Sequence, residues 1–145
     1  MSKIIKIGIA QTKGSLIINV NSVEVIKGKG IVDDRKFSEN NQKARQITFV
    51  EIENINYFNN ISKTNIPSLK FRRNIITKGI KLNDLLGKVF TVGSVKIKAH
   101  DLCRPCKYLQ DKLKQNNFVK EFVRRGGLRC EILSSGSISV GDSIK

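Results

Sequence analysis

Short stretches of alternating aliphatic and polar residues recur along the chain. Residues 3–10 put Ile5, Ile7 and Ile9 on one face of a first strand. Ile18, Val20, Val23 and Val25 alternate again, with an irregularity at Asn21-Ser22, until Gly28-Lys29-Gly30 breaks the pattern. The polar run 31–43 reads as a loop and Gln46-Ile47-Thr48-Phe49-Val50 as the next strand. Ile52, Ile55 and Phe58 have helical spacing, which predicts a short helix over 51–60. A loop over 59–68, an extended Phe71–Ile76 and a single turn closed by Gly87 follow. Residues 89–92 and 95–100 flank Gly93-Ser94, the pattern of a hairpin. Pro105 opens a helical stretch to about Leu113, and Phe118, Val119 and Phe122 mark a second over 117–124. Residues 128–133 form a strand with Leu128, Cys130 and Ile132 inward, and Gly136 to Asp142 closes the chain. About eight short strands spaced by turns predict a mostly β fold, a β-barrel with a few short α-helices on its side or end.

Length and composition agree with one domain spanning 1–145. At 39% hydrophobic residues the chain has material for a core. No apolar run approaches the ~20 residues of a membrane span, and no leader-like core is visible, so the expected location is the cytoplasm. The net charge of +15 suits an anionic partner. The 19 lysines are scattered, as compositional drift would leave them, whereas the eight arginines gather near glycine, asparagine and cysteine motifs. A nucleic-acid-binding barrel would interleave exposed aromatics with its cations. Nine aromatics, mostly at core-like positions, argue against that partner.

The segment Asp101-Leu102-Cys103-Arg104-Pro105-Cys106 carries the chemistry. Proline is favoured at the first position of a helix, which puts Cys106 in the first turn. Amide N–H groups and the positive end of the helix dipole stabilise a thiolate there, and Arg104 and Lys107 add positive charge. Cys106 is thus a candidate nucleophile or metal ligand. Three cysteines with no export signal read as reduced thiols. Alternation turns Cys130 into the core, and His100 stands three residues before Cys103. Two other readings stay open. His100, Cys103, Cys106 and Cys130 offer zinc-ligand types without a second paired half, and Cys103–Cys106 has the spacing of a redox pair without the usual surrounding fold.

Three further segments pair arginine with turn residues: 28–35 with Arg45-Gln46-Ile47, Arg72-Arg73-Asn74-Ile75 with Gly79, and Arg124-Arg125-Gly126-Gly127-Leu128 leading to Gly136 and Gly141-Asp142. The arginine fork suits phosphate, and neighbouring glycines let backbone approach it closely. With Gly87…Val92-Gly93 and Cys103-x-Pro105-Cys106…Leu109, the order of these pieces from about Val23 onward resembles the MOSC family, named for the C-terminal domain of molybdenum cofactor sulfurase. Asp33 stands where the family's Gly-x-x-Gly-Asp-Arg pattern commonly has glycine.

The resemblance implies a MOSC-like β-barrel that binds molybdenum cofactor, a phosphorylated pterin dithiolene, independently of pyridoxal phosphate. It implies Cys106 as molybdenum ligand or sulfur carrier, a role a soft thiolate suits. Arg45, Arg73, Asn74 and Arg125 would line the pocket, with Arg35, His100 and Cys103 at the same site. Relatives reduce N-hydroxylated compounds with electrons from partner proteins. The chain shows neither an electron-transfer module nor the extra N-terminal barrel of some relatives. An electron-donor or sulfur-donor protein is therefore an expected partner, and a carrier role is an alternative to catalysis.

Overall fold

The computed structural model describes residues 2–145; Met1 lies outside them. Among the described residues there are ten strands: β1 Lys3–Ile9, β2 Ile18–Val20, β3 Ser22–Ile26, β4 Gly30–Ile31, β5 Ile47–Glu51, β6 Ile75–Lys78, β7 Val89–Val92, β8 Val95–Leu102, β9 Leu128–Ile132 and β10 Gly136–Ser139. Three helices join them: α1 Ile52–Ser62, α2 Lys107–Leu113 and α3 Phe118–Phe122. Seven strands form one curled sheet in the order β2-β1-β6-β5-β9-β8-β7, and β10-β3-β4 form a second. The mostly β, barrel-like architecture with short helices is therefore present as expected.

The C-terminal residues close the large sheet. The Gly141 and Ile4 amides donate to the Ile4 and Asp142 carbonyls at 2.8 and 3.0 Å. On the other side the Gly93 amide donates to Ser143 and the Thr91 amide to Lys145, at 2.9 and 3.0 Å. One short segment thus satisfies backbone groups of both β1 and β7, leaving less open edge.

Two cores flank the large sheet. On its concave side Phe49, Ile75, Ile97, Leu128 and Cys130 meet Val25, Ile31 and Ile138 of the small sheet. On the other side Val50 and Ile76 meet Ile55 and Phe58 of α1, Leu109 of α2 and Phe118 and Phe122 of α3. Phe58 stands edge-on to Phe71, Phe118 and Phe122 with centroids 6.0, 5.5 and 6.1 Å apart. Such aromatic pairs contribute about 0.5–1.5 kcal/mol each beyond their burial. β5 faces both cores, with Ile47 and Phe49 on the concave side and Val50 on the helix side, which explains why apolar residues fall on both of its faces.

Several local expectations change. The irregularity at Asn21 is a change of sheet: β2 pairs with β1, while β3 pairs with β10 and β4. Strict alternation fails in β1 because the register against β6 shifts between Ile4 and Lys6. Ile4 and Ile7 therefore both reach the concave core, while Ile5 packs toward the helices. The extended stretch expected at 71–76 becomes a strand only at Ile75, because Ser68–Phe71 is a 3-10 turn and Arg72 is left-handed at φ 62°. β5 and β6 run parallel, with α1 in their connection.

Asp33 occupies the glycine position of the 28–35 motif with φ 70°. That conformation strains any L-residue, asparagine and aspartate least. Asp33→Gly should therefore raise stability by about 0.5–1 kcal/mol and Asp33→Val should lower it by about 1–2 kcal/mol, read as opposite shifts in thermal unfolding.

Candidate functional site

The outer face of the large sheet carries a cavity beside the helices. Thr48 of β5, Arg129 of β9 and Asp101 of β8 stand side by side, because Thr48 pairs with Arg129 and Arg129 with Asp101. Lys36, Arg73, Leu102, Cys103 and Arg104 complete the walls of a space of about 390 Å³. That volume lies within the usual range for small-molecule sites, roughly 300–1,000 Å³. Four cations face one carboxylate, so the cavity is built for an anion.

Backbone carbonyls aim the two inner arginines. Arg73 Nε donates to the Gly126 carbonyl at 2.9 Å and Nη1 to the Phe71 carbonyl at 3.3 Å. Arg129 Nε donates to the Ala44 carbonyl at 3.1 Å, and its Nη1 lies 4.0 Å from Asp101 Oδ2. Each guanidinium is held along one edge and keeps further N–H donors for a ligand.

Asp34 secures the Lys36 loop. Its buried carboxylate accepts from the Ala10 amide at 3.0 Å and the Lys36 amide at 3.3 Å, with Arg35 Nη1 at 3.5 Å. Burial, with Arg35 and Arg73 nearby, pulls the Lys36 ammonium down to about 8. Burial also lowers the Arg35 guanidinium, against the attraction of Asp34.

The cysteine segment enters through the glycine pair. The Cys103 amide donates to the Gly127 carbonyl at 2.7 Å. A Cβ on Gly126 would lie 2.3 Å from the Cys103 carbonyl oxygen, and one on Gly127 would lie 1.7 Å from that of Phe49. Only glycines permit this approach, which sets the nearly buried Cys103 in the cavity wall. The helix begins at Lys107, two residues later than expected. Cys106 is extended at φ −121°, ψ 157°, and caps α2 by accepting the Leu109 amide on Sγ at 3.5 Å. Cys106 is exposed and lies outside the cavity lining, whereas Cys103 is part of it. Burial raises the Cys130 thiol, which faces the concave core as alternation predicts.

The other expected site residues divide. Arg73 and Cys103 line the cavity. Asn74 stands one layer behind it. Its Oδ1 accepts from the Thr48 amide and hydroxyl, both at 3.1 Å, its amide N–H donates to Thr48 Oγ1 at 3.0 Å, and Nδ2 donates to the Gly8 carbonyl at 3.1 Å. Arg35 sits beside the wall rather than in it. Arg45 is exposed on the 3-10 turn Lys43–Arg45, where Arg129 takes the neighbouring carbonyl. Arg125 turns toward α1, its guanidinium carbon 3.9 Å from the Tyr57 ring centre. His100 falls where β8 shifts register against β9, and its Nε2 lies 2.7 Å from Glu131 Oε1. Among the described residues no group of three or more His, Cys, Asp or Glu side chains is arranged to hold a metal ion, so the zinc set is not assembled.

Sequence reasoning missed Lys36, Thr48, Asp101 and Arg129 as a group. Arg129 was accessible to it: alternation with Leu128 and Cys130 turns it to the outer face. Its neighbours there depend on strand order, which alternation does not encode.

The sequence from 34 to 145 matches the family model of the MOSC domain. The chain belongs to the MOSC domain family. MOSC domains are associated with molybdenum cofactor binding. The fold is similar to the YuaD protein from Bacillus subtilis (TM-score 0.82, 20% identity, 99% of this chain and 94% of that one). It is also similar to YiiM from Geobacillus stearothermophilus (0.80, 18%, 99% and 74%) and YiiM from Escherichia coli (0.70, 15%, 99% and 68%). Identities this low speak for the fold alone. No curated protein sequence matches the chain. Among the described residues of this MOSC domain, no helix is long and apolar enough to cross a membrane.

Two consequences can be measured. Asn74→Ala strands the Thr48 and Gly8 backbone groups and should cost about 2–4 kcal/mol in urea unfolding. Anion affinity should also depend on pH through Lys36. Lys36 is already charged below about 8, and a bound anion would raise it toward its ordinary 10.5. Affinity for sulfate, which stays fully ionised over this range, measured by calorimetry should therefore be nearly flat well below pH 8 and fall by up to about tenfold per unit above it, with the fall abolished in Lys36→Gln.

Proposed function

We propose that this MOSC domain binds molybdenum cofactor in the cavity between β5, β8, β9 and the cysteine segment. The observation that carries this reading is the meeting of Lys36, Arg73, Arg104 and Arg129 with the Cys103 thiol around one space of about 390 Å³. The donor set fits both ends of the group. Arginine forks and a lysine suit a phosphate, and a thiol suits a soft metal. Arg73 and Arg129 would hold the phosphate and Lys36 would balance charge, over a floor in which the Thr48 hydroxyl is committed to Asn74. When bound, the group would supply two-electron and oxygen-atom transfer at molybdenum.

The two thiols differ in access. Cys103 belongs to the wall, whereas Cys106 is exposed three residues further on. We assign Cys106 as the thiol that receives transferred sulfur, because a donor protein has direct access to it, while Cys103 is the thiol that the cavity itself would present to molybdenum. In this setting the chain is the cofactor-holding component of a reductase for N-hydroxylated compounds, or a carrier of cofactor or sulfur. Electrons or sulfur arrive from a partner protein. The +15 charge alone does not favour nucleic acid, since six of the seven phenylalanines are buried and so withdrawn from base stacking.

The test compares protein made in a host that synthesises molybdenum cofactor. Wild type should carry molybdenum and pterin together. Arg73→Ala combined with Arg129→Ala should lower pterin retention at least about tenfold, the loss of roughly 1.4 kcal/mol of phosphate binding or more. Cys103→Ser should keep pterin but lose molybdenum, and Cys106→Ser should keep both but lose labile sulfur. Wild type with neither molybdenum nor pterin overturns the reading, and one equivalent of zinc lost in Cys106→Ser would replace it with a structural metal site.

A further inference from the structure

A second concave surface lies at the far end of α2. Leu16, Ile17, Pro67, Leu69 and Leu113 line it, with Lys70 and Lys112 at its rim and the buried Arg72 in its wall, around about 370 Å³. It runs into a neighbouring hollow of about 580 Å³ that shares Pro67, Lys70, Lys112 and Leu113 and adds Lys114. Together they make an apolar groove edged by cations.

The groove is built rather than incidental. The Thr12–Leu16 loop is turned by Ser15, whose amide and hydroxyl both donate to the Thr12 carbonyl, at 3.1 and 2.8 Å. Arg72 Nη1 fastens it through the Ser15 carbonyl at 2.8 Å, and Lys112 Nζ through the Gly14 carbonyl at 3.2 Å. The fastened loop presents Leu16 at 81% exposure, the most exposed large hydrophobic residue described. An isolated exposed leucine means little, but one standing over a concave apolar floor marks a binding surface.

Charge selects the occupant. No acidic side chain lines either hollow, and among the described residues none of Lys70, Arg72, Lys112 and Lys114 forms an ion pair. A second copy of a chain carrying +15 would bring like charge to this rim. A flat lipid surface would touch Leu16 but not the recessed Leu69. The walls are a loop, a 3-10 turn and a helix end, so the groove recognises side chains rather than pairing with a strand. We propose that this groove docks an amphipathic acidic helix of a partner protein, with apolar anchors at helical spacing on the floor and carboxylates on the lysine rim. Cys106 caps the opposite end of α2, so a helix seated here lies about 9 Å along that axis from the exposed thiol, six residues at ~1.5 Å each. The groove shares no lining residue with the cofactor cavity, and the proposal does not rest on cofactor binding.

The test uses two capped peptides of about 15 residues, identical in leucine and glutamate content, long enough to form a helix on binding. One has leucines at i, i+3, i+4 and i+7, and the other is scrambled. Binding to the isotopically labelled full chain is followed by amide chemical shifts at physiological salt. The amphipathic peptide should bind roughly tenfold or more tightly than the scrambled one and shift the amides of Leu16, Leu69 and Leu113. Leu16→Ser, at an exposed site that should not affect folding, should weaken it several-fold, and Lys70→Glu with Lys112→Glu should weaken it further. The proposal fails if the peptides bind equally, if the shifts fall on the Arg73–Arg129 cavity, if Leu16→Ser changes nothing, or if neither binds while phosphatidylglycerol vesicles do. Cofactor content in the same preparations reports separately on the cavity.

Discussion

The carbonyl oxygens of Phe49 and Cys103 approach Gly127 and Gly126 so closely that a single methyl group on either glycine would collide with backbone. Three segments from distant parts of the sequence meet there. β5 supplies Phe49, the end of β8 supplies Cys103, and Arg73 lays its Nε on the Gly126 carbonyl. Separating these backbones would move Cys103 out of the wall and leave Arg73 without its anchor. The cavity therefore depends on a contact in which none of its own ligand-facing atoms takes part.

A division of labour between the two faces of the sheet follows. The concave face is filled with aliphatic and aromatic side chains from both sheets and contributes stability. The outer face is covered by α1, α2 and α3 over Ile5, Val50 and Ile76. Thr48 and Arg129 lie beyond that cover, and the uncovered patch becomes the cavity floor. Asn74 connects the two functions. It joins β5 to β6 through Thr48 and to β1 through Gly8, so the polar floor is fully hydrogen-bonded before any ligand arrives. The second groove extends this arrangement along α2, whose two ends face different surfaces: a thiol at one and a cationic, apolar trough at the other.

Much of this was legible in the sequence, and the failures have physical causes. Alternation located the strands and turned Cys130 inward, and the order of glycine and arginine motifs led to the MOSC family. Arg73 was legible because its motif travels with Asn74. Asn74 itself was assigned to the ligand, whereas its amide holds strands together; an asparagine's sequence context does not distinguish these uses. Arg45 and Arg125 were expected in the cavity on motif alone, but one lies on an exposed turn and the other stacks on Tyr57. Arg129 occupies the place expected of them because three strands bring Thr48, Arg129 and Asp101 abreast, a fact of sheet order rather than of local pattern. The glycine pair was legible as a motif but not as a steric requirement, since the atoms that crowd it come from residues 49 and 103.

The most direct measurement of the central claim is anomalous X-ray diffraction at the molybdenum edge from crystals of protein prepared with its cofactor. A molybdenum peak beside the Cys103–Cys106 segment, with phosphate density on Arg73 and Arg129, is the result predicted. A peak elsewhere on the surface, or a cofactor-loaded protein whose cavity holds only solvent, would contradict it.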